Sequence, residues 1–181
     1  EPCLTASLPG TAWIASFFED REGNLWIGSL THSLARAWNG WVARFNVEDG
    51  LSDPFVGSVV ADDSRRLWIG TNSGIERLDP DGSIRPITST RELPDSSVYN
   101  LFRTRDGDLL IGTRAGLARW NGRELARDPI WEPLAQAGIR AVIEEAPGHY
   151  WIGTSQGLYE QTAGELRLHA AQALVFERQG G

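Results

Sequence analysis

One short motif recurs four times along the 181 residues of the chain. Its full form is an apolar residue followed by Trp-Ile-Gly and then Ser or Thr, and Leu replaces Trp in the third copy. The copies occupy residues 25–29, 67–71, 109–113 and 150–154. The motif glycines lie 42, 42 and 41 residues apart, at Gly28, Gly70, Gly112 and Gly153. A period of this length predicts a repeat architecture built from one supersecondary unit.

Each repeated unit contains four short apolar runs separated by Gly, Pro, Asn and Asp. Such runs predict β-strands, and the Asn-Gly pairs at 39–40 and 121–122 predict tight hairpins because both residue types tolerate positive φ. Four short strands joined by short turns form the antiparallel blade of a β-propeller. We therefore predict an all-β fold of four four-stranded blades, with helix limited to a turn within 133–138.

The period also predicts the limits of the units. Residues 1–13 are the tail of a preceding repeat and 173–181 the start of a further one, with blades at 14–55, 56–97, 98–138 and 139–172. An array of four blades leaves apolar faces bare on its first and last sheets. We therefore expect an incomplete arc of a larger propeller, completed by further sequence or by self-association through these faces.

The repeated motif has a packing role in this interpretation. Because side chains alternate along a strand, Trp and Gly share one face of the sheet. A large Trp fills the gap between splayed sheets, and a bare Gly lets the next sheet approach closely. We predict core positions for Trp26, Trp68 and Trp151, and looser packing beside the smaller Leu110. The alternative, Trp residues that act as stacking platforms for sugars or bases, requires their exposure on one surface.

Composition argues against several kinds of function. The formal charge of −7 and the pI near 5.0 argue against nucleic-acid binding, which needs a basic surface. Cys3 is the only cysteine, so one chain can form neither an internal disulfide nor a thiolate metal cluster. The acidic turn at 79–82 supplies two carboxylates, too few oxygens for calcium. We expect no metal, no cofactor and no membrane segment in this chain.

Candidate binding residues lie in turns at which the units differ from one another. Unlike polar residues follow the motif in each unit, and two carboxylates precede opening strands. The set comprises His32, Asn72, Arg114, Gln156, Asp53 and Asp95. We expect the second turns of all blades to gather at one end of the propeller axis. We expect a ligand to bind there, because variable loops on a rigid framework commonly bind ligands. The alternative is that these are ordinary solvated turn residues.

These features resemble the two-component regulator propeller repeat. Its pattern is an acidic turn with Gly, then Leu-Trp-Ile-Gly-Thr, Gly-Leu, and a strand ending in Asn-Gly or Asp-Gly. The matching segments are 20–39, 62–81, 106–121 and 145–164. Two departures are the residues 64–66, which replace the turn Gly of the second unit, and Leu110 in place of Trp.

The resemblance implies a periplasmic or extracytoplasmic sensor segment of bacterial hybrid histidine kinases and related receptors. It implies binding of a small ligand, often a sugar or glycan fragment, and signalling by output domains outside this chain. No paired carboxylates and no nucleophile–base pair stand out, so we predict no catalytic residues. The alternatives are a protein-interaction scaffold, and a propeller lyase or glycosidase.

Overall fold

The structure is a computed structural model that describes residues 4–5, 13–87, 93–162 and 164–170. Its strands form four separate antiparallel sheets, which confirms the predicted all-β blades. The predicted start of a further repeat, 173–181, lies outside the described residues.

The four sheets follow one another along the chain. The first comprises β1 (Leu4–Thr5), β2 (Ile14–Glu19), β3 (Leu25–Ser29), β4 (Ser33–Trp38) and β5 (Trp41–Phe45). The second comprises β6 (Val56–Ala61), β7 (Leu67–Thr71), β8 (Gly74–Leu78) and β9 (Ile84–Pro86). The third comprises β10 (Val98–Arg103), β11 (Leu109–Thr113), β12 (Gly116–Trp120) and β13 (Leu125–Ala126). The fourth comprises β14 (Ile139–Ala146), β15 (His149–Thr154), β16 (Gly157–Thr162) and β17 (Glu165–Ala170).

Strands within each sheet are ordered as in the sequence, with one addition. Strand β1 pairs antiparallel with β5, so that Leu4 lies opposite Ala43 and the first sheet has five strands. The opening strands β2, β6, β10 and β14 contact one another in succession. They therefore form the inner edge of the arc, and the fourth strand of each sheet lies outside.

Motif glycines set the distance between neighbouring sheets. A methyl group at Gly70 would lie 2.5 Å from Val98 Cγ1, and one at Gly112 would lie 2.7 Å from Ile139 Cγ2. Because these contacts leave no room for a Cβ, each glycine forms a notch that receives the first residue of the next sheet. Gly153 in the last sheet has no such neighbour among the described residues: a methyl group there would lie 3.8 Å from Ala141 of its own sheet.

Two of the three motif tryptophans lie in the core, as predicted. Trp26 is 6% exposed between the first and second sheets, and Trp68 is 8% exposed between the second and third. The prediction for Trp151 is wrong, because this residue is only half-buried. It lies on the same face as Gly153, against which no further sheet packs in the described part of the chain.

The third interface obtains its tryptophan from a connection instead of a strand. Leu110 is completely buried, in one hydrophobic core with Trp131. Trp131 lies in a 3₁₀ helix, Pro129–Leu134, which is capped by Asp128 and begins four residues before the predicted helical turn. Its Nε1 donates to Gln161 Oε1 at 2.7 Å. The connection therefore supplies the aromatic volume that the motif lacks.

The four sheets form an open arc, not a closed ring. Phe17 pairs with Ile27 on the face of the first sheet that points away from the second, and it is 63% exposed. Ile143 pairs with Trp151 on the outward face of the last sheet and is also 63% exposed. Both end faces therefore present large hydrophobic side chains to water.

Candidate functional site

The second turns and the connections that enter the sheets lie at one end of the arc. Backbone hydrogen bonds join them, from Ser33 N to Pro54 O at 3.0 Å, from Arg114 N to Ser97 O at 3.0 Å and from Ser155 N to Gly138 O at 2.8 Å. This second-turn end comprises 30–33, 72–73, 114–115 and 155–156 with the connections 51–55, 93–97 and 135–138. All six candidate binding residues lie in it.

Asp95 and Arg114 form a direct ion pair at this end. Asp95 Oδ2 accepts from Arg114 Nε at 3.1 Å and Nη2 at 2.9 Å, while Oδ1 accepts from Ser97 N at 2.8 Å. Burial alone would raise the pKa of Asp95, but the hydrogen bonds from Arg114 and Ser97 outweigh it and hold this pKa below its ordinary value. The carboxylate is mostly buried and the guanidinium is largely exposed, so Arg114 is the member that can contact a ligand.

Asp53 is fixed beside the second turn of the second sheet. Its Oδ1 accepts from Phe55 N at 2.7 Å, and its Oδ2 lies 3.5 Å from Ser73 Oγ, next to Asn72. The structure therefore places Asp53 beside the Asn72 turn, and Asp95 beside Arg114, at equivalent positions in neighbouring sheets.

The other two candidates stand apart. His32 Nδ1 lies 2.7 Å from Thr31 Oγ1, and Gln156 N donates to Thr154 Oγ1 at 3.0 Å. Within the described residues, no hydrogen bond or ion pair joins His32 or Gln156 to the other candidates.

Sequence reasoning missed a buried carboxyl group close to this end. Glu76 in β8 is 1% exposed, and its Oε1 accepts from Ser52 N at 3.0 Å and Thr71 Oγ1 at 3.2 Å. Its Oε2 has no hydrogen-bond partner. Burial raises the pKa of Glu76, and the charge of Asp53 adds to this effect. The available signal was a glutamate at a position where the other units have Ala35, Ala118 and Tyr159.

The opposite end, formed by the first turns at 20–24, 62–66, 104–108 and 145–148, has a second regular feature. The indole N–H of each motif Trp donates to a carboxylate six residues earlier. The distances are 2.8 Å for Trp26 to Asp20, 3.2 Å for Trp68 to Asp62 and 2.8 Å for Trp151 to Glu145. The unit with Leu110 has Thr104 at the equivalent position, so the carboxylate and the Trp occur together.

The carboxylates of these first turns are also held by their own loops. Asp20 accepts from the backbone N–H groups of Glu22 and Asn24 and from the Asn24 amide, at 2.8–3.1 Å. Burial alone would raise the pKa of Asp20, but the hydrogen bonds from Trp26 and Asn24 lower it below its ordinary value. Asp62 has a lowered pKa for the same reason, with Arg66 as its main donor.

Ion pairs link three sheets at this first-turn end. Asp63 of the second sheet accepts from Arg21 of the first sheet at 2.6 Å and from Arg103 of the third. Clefts of about 560 Å³ and 210 Å³ lie beside these residues, between the first and second sheets and between the second and third.

Neither a metal-binding cluster nor a membrane-spanning helix is present among the described residues. They contain no group of three or more His, Cys, Asp or Glu side chains arranged to hold a metal ion. None of their helices has the length and apolar character needed to span a membrane.

Comparison with known structures places the fold among propellers. The chain resembles an extracellular domain from B. thetaiotaomicron described as part of a hybrid two component system, with 20% identity and a TM-score of 0.68 over 87% of this chain and 23% of that one. It also resembles virginiamycin B lyase from Staphylococcus aureus, with 16% identity and a TM-score of 0.70 over 92% and 59%. A third similar structure is YCF48 bound to D1 peptide, with 17% identity and a TM-score of 0.62 over 82% and 50%. The chain thus spans about a quarter of the length of the extracellular domain that it matches.

Comparison of sequences finds a family model that matches two segments of the chain. No curated protein matches the chain. The family model described as "Two component regulator propeller" matches residues 7–31 and 92–115. Each matched segment includes one copy of the motif, 25–29 or 109–113; the first match ends within the second turn at 30–33, and the second includes the turn at 114–115. Two segments of the chain therefore match the repeat of the two-component regulator propeller family.

Proposed function

We propose that the chain is a non-catalytic, ligand-binding segment of an extracytoplasmic sensor propeller in a bacterial signal-transduction receptor. The family match and the likeness to an extracellular domain of a two component system support this role. In this proposal the output domain belongs to a longer protein, and the propeller segment supplies recognition.

The ligand site in this proposal is the second-turn end. The observation that carries it is the ion pair between Asp95 and Arg114, in which a mostly buried carboxylate orients an exposed guanidinium on a loop. Asp53 and the Asn72 turn occupy the equivalent place one sheet earlier. Carboxylate and guanidinium groups held in fixed directions, with the Asn72 amide on the neighbouring turn, suit the hydroxyl groups of a sugar or glycan fragment.

We also propose that the end faces of the arc are covered by a further blade of the same kind, from additional sequence or from a second copy. Ile14 lies opposite Ser29 and is 38% exposed, whereas the equivalent Val98 and Ile139 are completely buried in notches. Ile14 and the empty notch at Gly153 are the two halves of the contact that joins neighbouring sheets inside the arc.

A second candidate function is a protein-interaction scaffold. The observation in its favour is the likeness to YCF48, which was determined with a bound D1 peptide. Peptide binding would use the broad outer surface of the blades, so it would not depend on Arg114.

The test is a thermal-shift and calorimetry screen with neutral mono- and disaccharides. We expect at least one sugar to raise the melting temperature, and we expect Arg114→Gln and Asp95→Asn to weaken its binding about tenfold, the value of one charged hydrogen bond. Asp81→Asn, in an exposed turn at the other end, is the matched control. If no sugar binds, or if binding is unchanged in the Arg114 variant, the proposed site is wrong. Sugar cleavage or elimination during incubation would instead indicate an enzyme.

A further inference from the structure

The larger cleft at the first-turn end has the size and lining of a small-molecule site. Its volume of about 560 Å³ falls within the usual range of roughly 300–1,000 Å³. The floor includes Trp26 and Phe45, whose ring centroids lie 5.7 Å apart, and Phe18 packs beside them. Five carboxylates and four arginines also line it, so its ligand preference depends on which of these charges lack a partner.

Arg36 lacks a carboxylate partner that its equivalents in the next two sheets possess. Arg36, Arg77 and Arg119 each lie directly opposite the Trp position of the motif. Arg77 Nε lies 2.8 Å from Asp79 Oδ1, and Arg119 Nε lies 3.7 Å from Asp108 Oδ2. No carboxylate in the described part of the chain forms an ion pair with Arg36.

The guanidinium of Arg36 is nevertheless held in a fixed position. It stacks on Trp38 at 4.9 Å and on Trp26 at 5.6 Å from the ring centroids. Its Nη2 donates to Asn24 Oδ1 at 2.9 Å, and its Nε is buried without a partner. Aromatic rings and a neutral amide orient this cation but do not neutralise it.

Most other charges in the cleft are already paired. Asp62 accepts from Arg66 at 2.7 Å, Asp79 is paired with Arg77, and Asp20 is surrounded by donors from its own loop and from the Trp26 indole. The remaining arginines of the cleft form the pairs Arg21–Asp63, Arg103–Asp63 and Arg65–Glu22. Glu19 is exposed to solvent at the rim.

We propose that this cleft binds a small ligand through the ligand's carboxylate, which pairs with Arg36. The planar guanidinium offers a fork of donors that matches a carboxylate, and the aromatic floor covers the apolar part of the ligand. This site goes beyond the proposed sensor function, because it lies at the end of the sheets opposite to Arg114.

The experiment compares carboxylates with their uncharged amides on the purified chain at constant ionic strength. The pairs are acetate with acetamide, benzoate with benzamide, and succinate with succinamide. We expect at least one carboxylate, and not its amide, to raise the melting temperature and to bind in calorimetry. Arg36→Gln should weaken that binding about ten- to hundredfold, and Arg36→Lys, which keeps the charge but loses the fork, should weaken it less. Arg44→Gln, on the same sheet, should leave it unchanged.

Three results would overturn this inference. One is a carboxylate series that stabilises the chain no more than the amides do. Another is binding of the carboxylate to Arg36→Lys that is as strong as to the parent chain. This second variant keeps the test possible if Arg36→Gln does not fold. The third is binding that is lost in Arg114→Gln and retained in Arg36→Gln, because that pattern would assign the anion to the second-turn end.

Discussion

Replacement of two equivalent glycines by alanine tests how the sheets of the arc pack. Gly112 and Gly153 occupy the same position in the same motif, but among the described residues only Gly112 of the two faces another sheet. A methyl group at 112 would lie 2.7 Å from Ile139 Cγ2 and 2.8 Å from Ile139 Cβ. Because Ile139 is completely buried and its Cβ cannot rotate away, the backbones of the two sheets must separate.

The expected magnitudes follow from this difference. Overpacking of a core costs about 1–3 kcal/mol, and replacing Gly by Ala within a strand returns roughly 0.5–1 kcal/mol. Gly112→Ala should therefore lower the free energy of unfolding by roughly 0–2.5 kcal/mol, and its stability should fall below that of Gly153→Ala by the full overpacking cost of about 1–3 kcal/mol. For Gly153→Ala only the gain from replacing Gly by Ala applies, because the atom nearest to the new methyl group belongs to Ala141 and lies 3.8 Å away. We expect it to be neutral or slightly stabilising.

Urea unfolding followed by tryptophan fluorescence measures both variants, with sedimentation velocity as a check on association. Equal stability of Gly112→Ala and Gly153→Ala, with neither below the parent chain, would refute the close contact between the third and fourth sheets. A loss for Gly153→Ala as large as that for Gly112→Ala would refute the open last face. In that case sedimentation should reveal an oligomer that the variant disrupts.

Three further substitutions test other contacts. Asp20→Asn should lower the free energy of unfolding by about 1 kcal/mol at pH 7, because the Trp26 N–H loses a charged acceptor. Since the pKa of Asp20 is lowered in the folded state, the stability difference between parent and variant should be fully present above about pH 4. Urea titrations at lower pH should show it shrinking. Glu76→Gln should be more stable than the parent by about 1 kcal/mol at pH 8. This advantage should fade towards pH 4, because the raised folded-state pKa of Glu76 makes the parent lose stability as pH rises. An advantage that does not change with pH would contradict the role of Glu76 ionisation. Trp131→Leu should cost about 3 kcal/mol through a cavity and an unpaired Gln161, while Trp41→Leu, at a position that is 55% exposed, should change the urea midpoint little.

Local signals account for what the sequence predicted correctly. Three copies of the predicted motif, 25–29, 67–71 and 109–113, coincide with strands of the structure, because alternation and turn residues act over a few positions. The burial of Trp151 was predicted wrongly because burial depends on a neighbouring sheet, which a motif cannot report. The entry of Trp131 into the third core depends in the same way on the path of a long connection.

The candidate sites were predictable to a smaller extent. The blade topology correctly predicted that the second turns lie at one end, where Asp95 and Arg114 form an ion pair. The pairing of Asp20 with Trp26 and of Glu145 with Trp151 was visible as a constant spacing of six residues, but its chemistry needed the indole direction. The isolation of Arg36 could not be read from sequence, because it depends on where the carboxylates of the neighbouring strands and turns point.

The contact between neighbouring sheets, in which a glycine notch receives the first residue of the next sheet, is directional. Each sheet presents a glycine notch on one side and a β-branched residue on the other, so any sheet can follow any other. Duplication or deletion of one whole repeat in the gene leaves this glycine contact intact at every remaining junction. Such a propeller can change its number of blades by single genetic events, while the turns of each copy remain free to diverge.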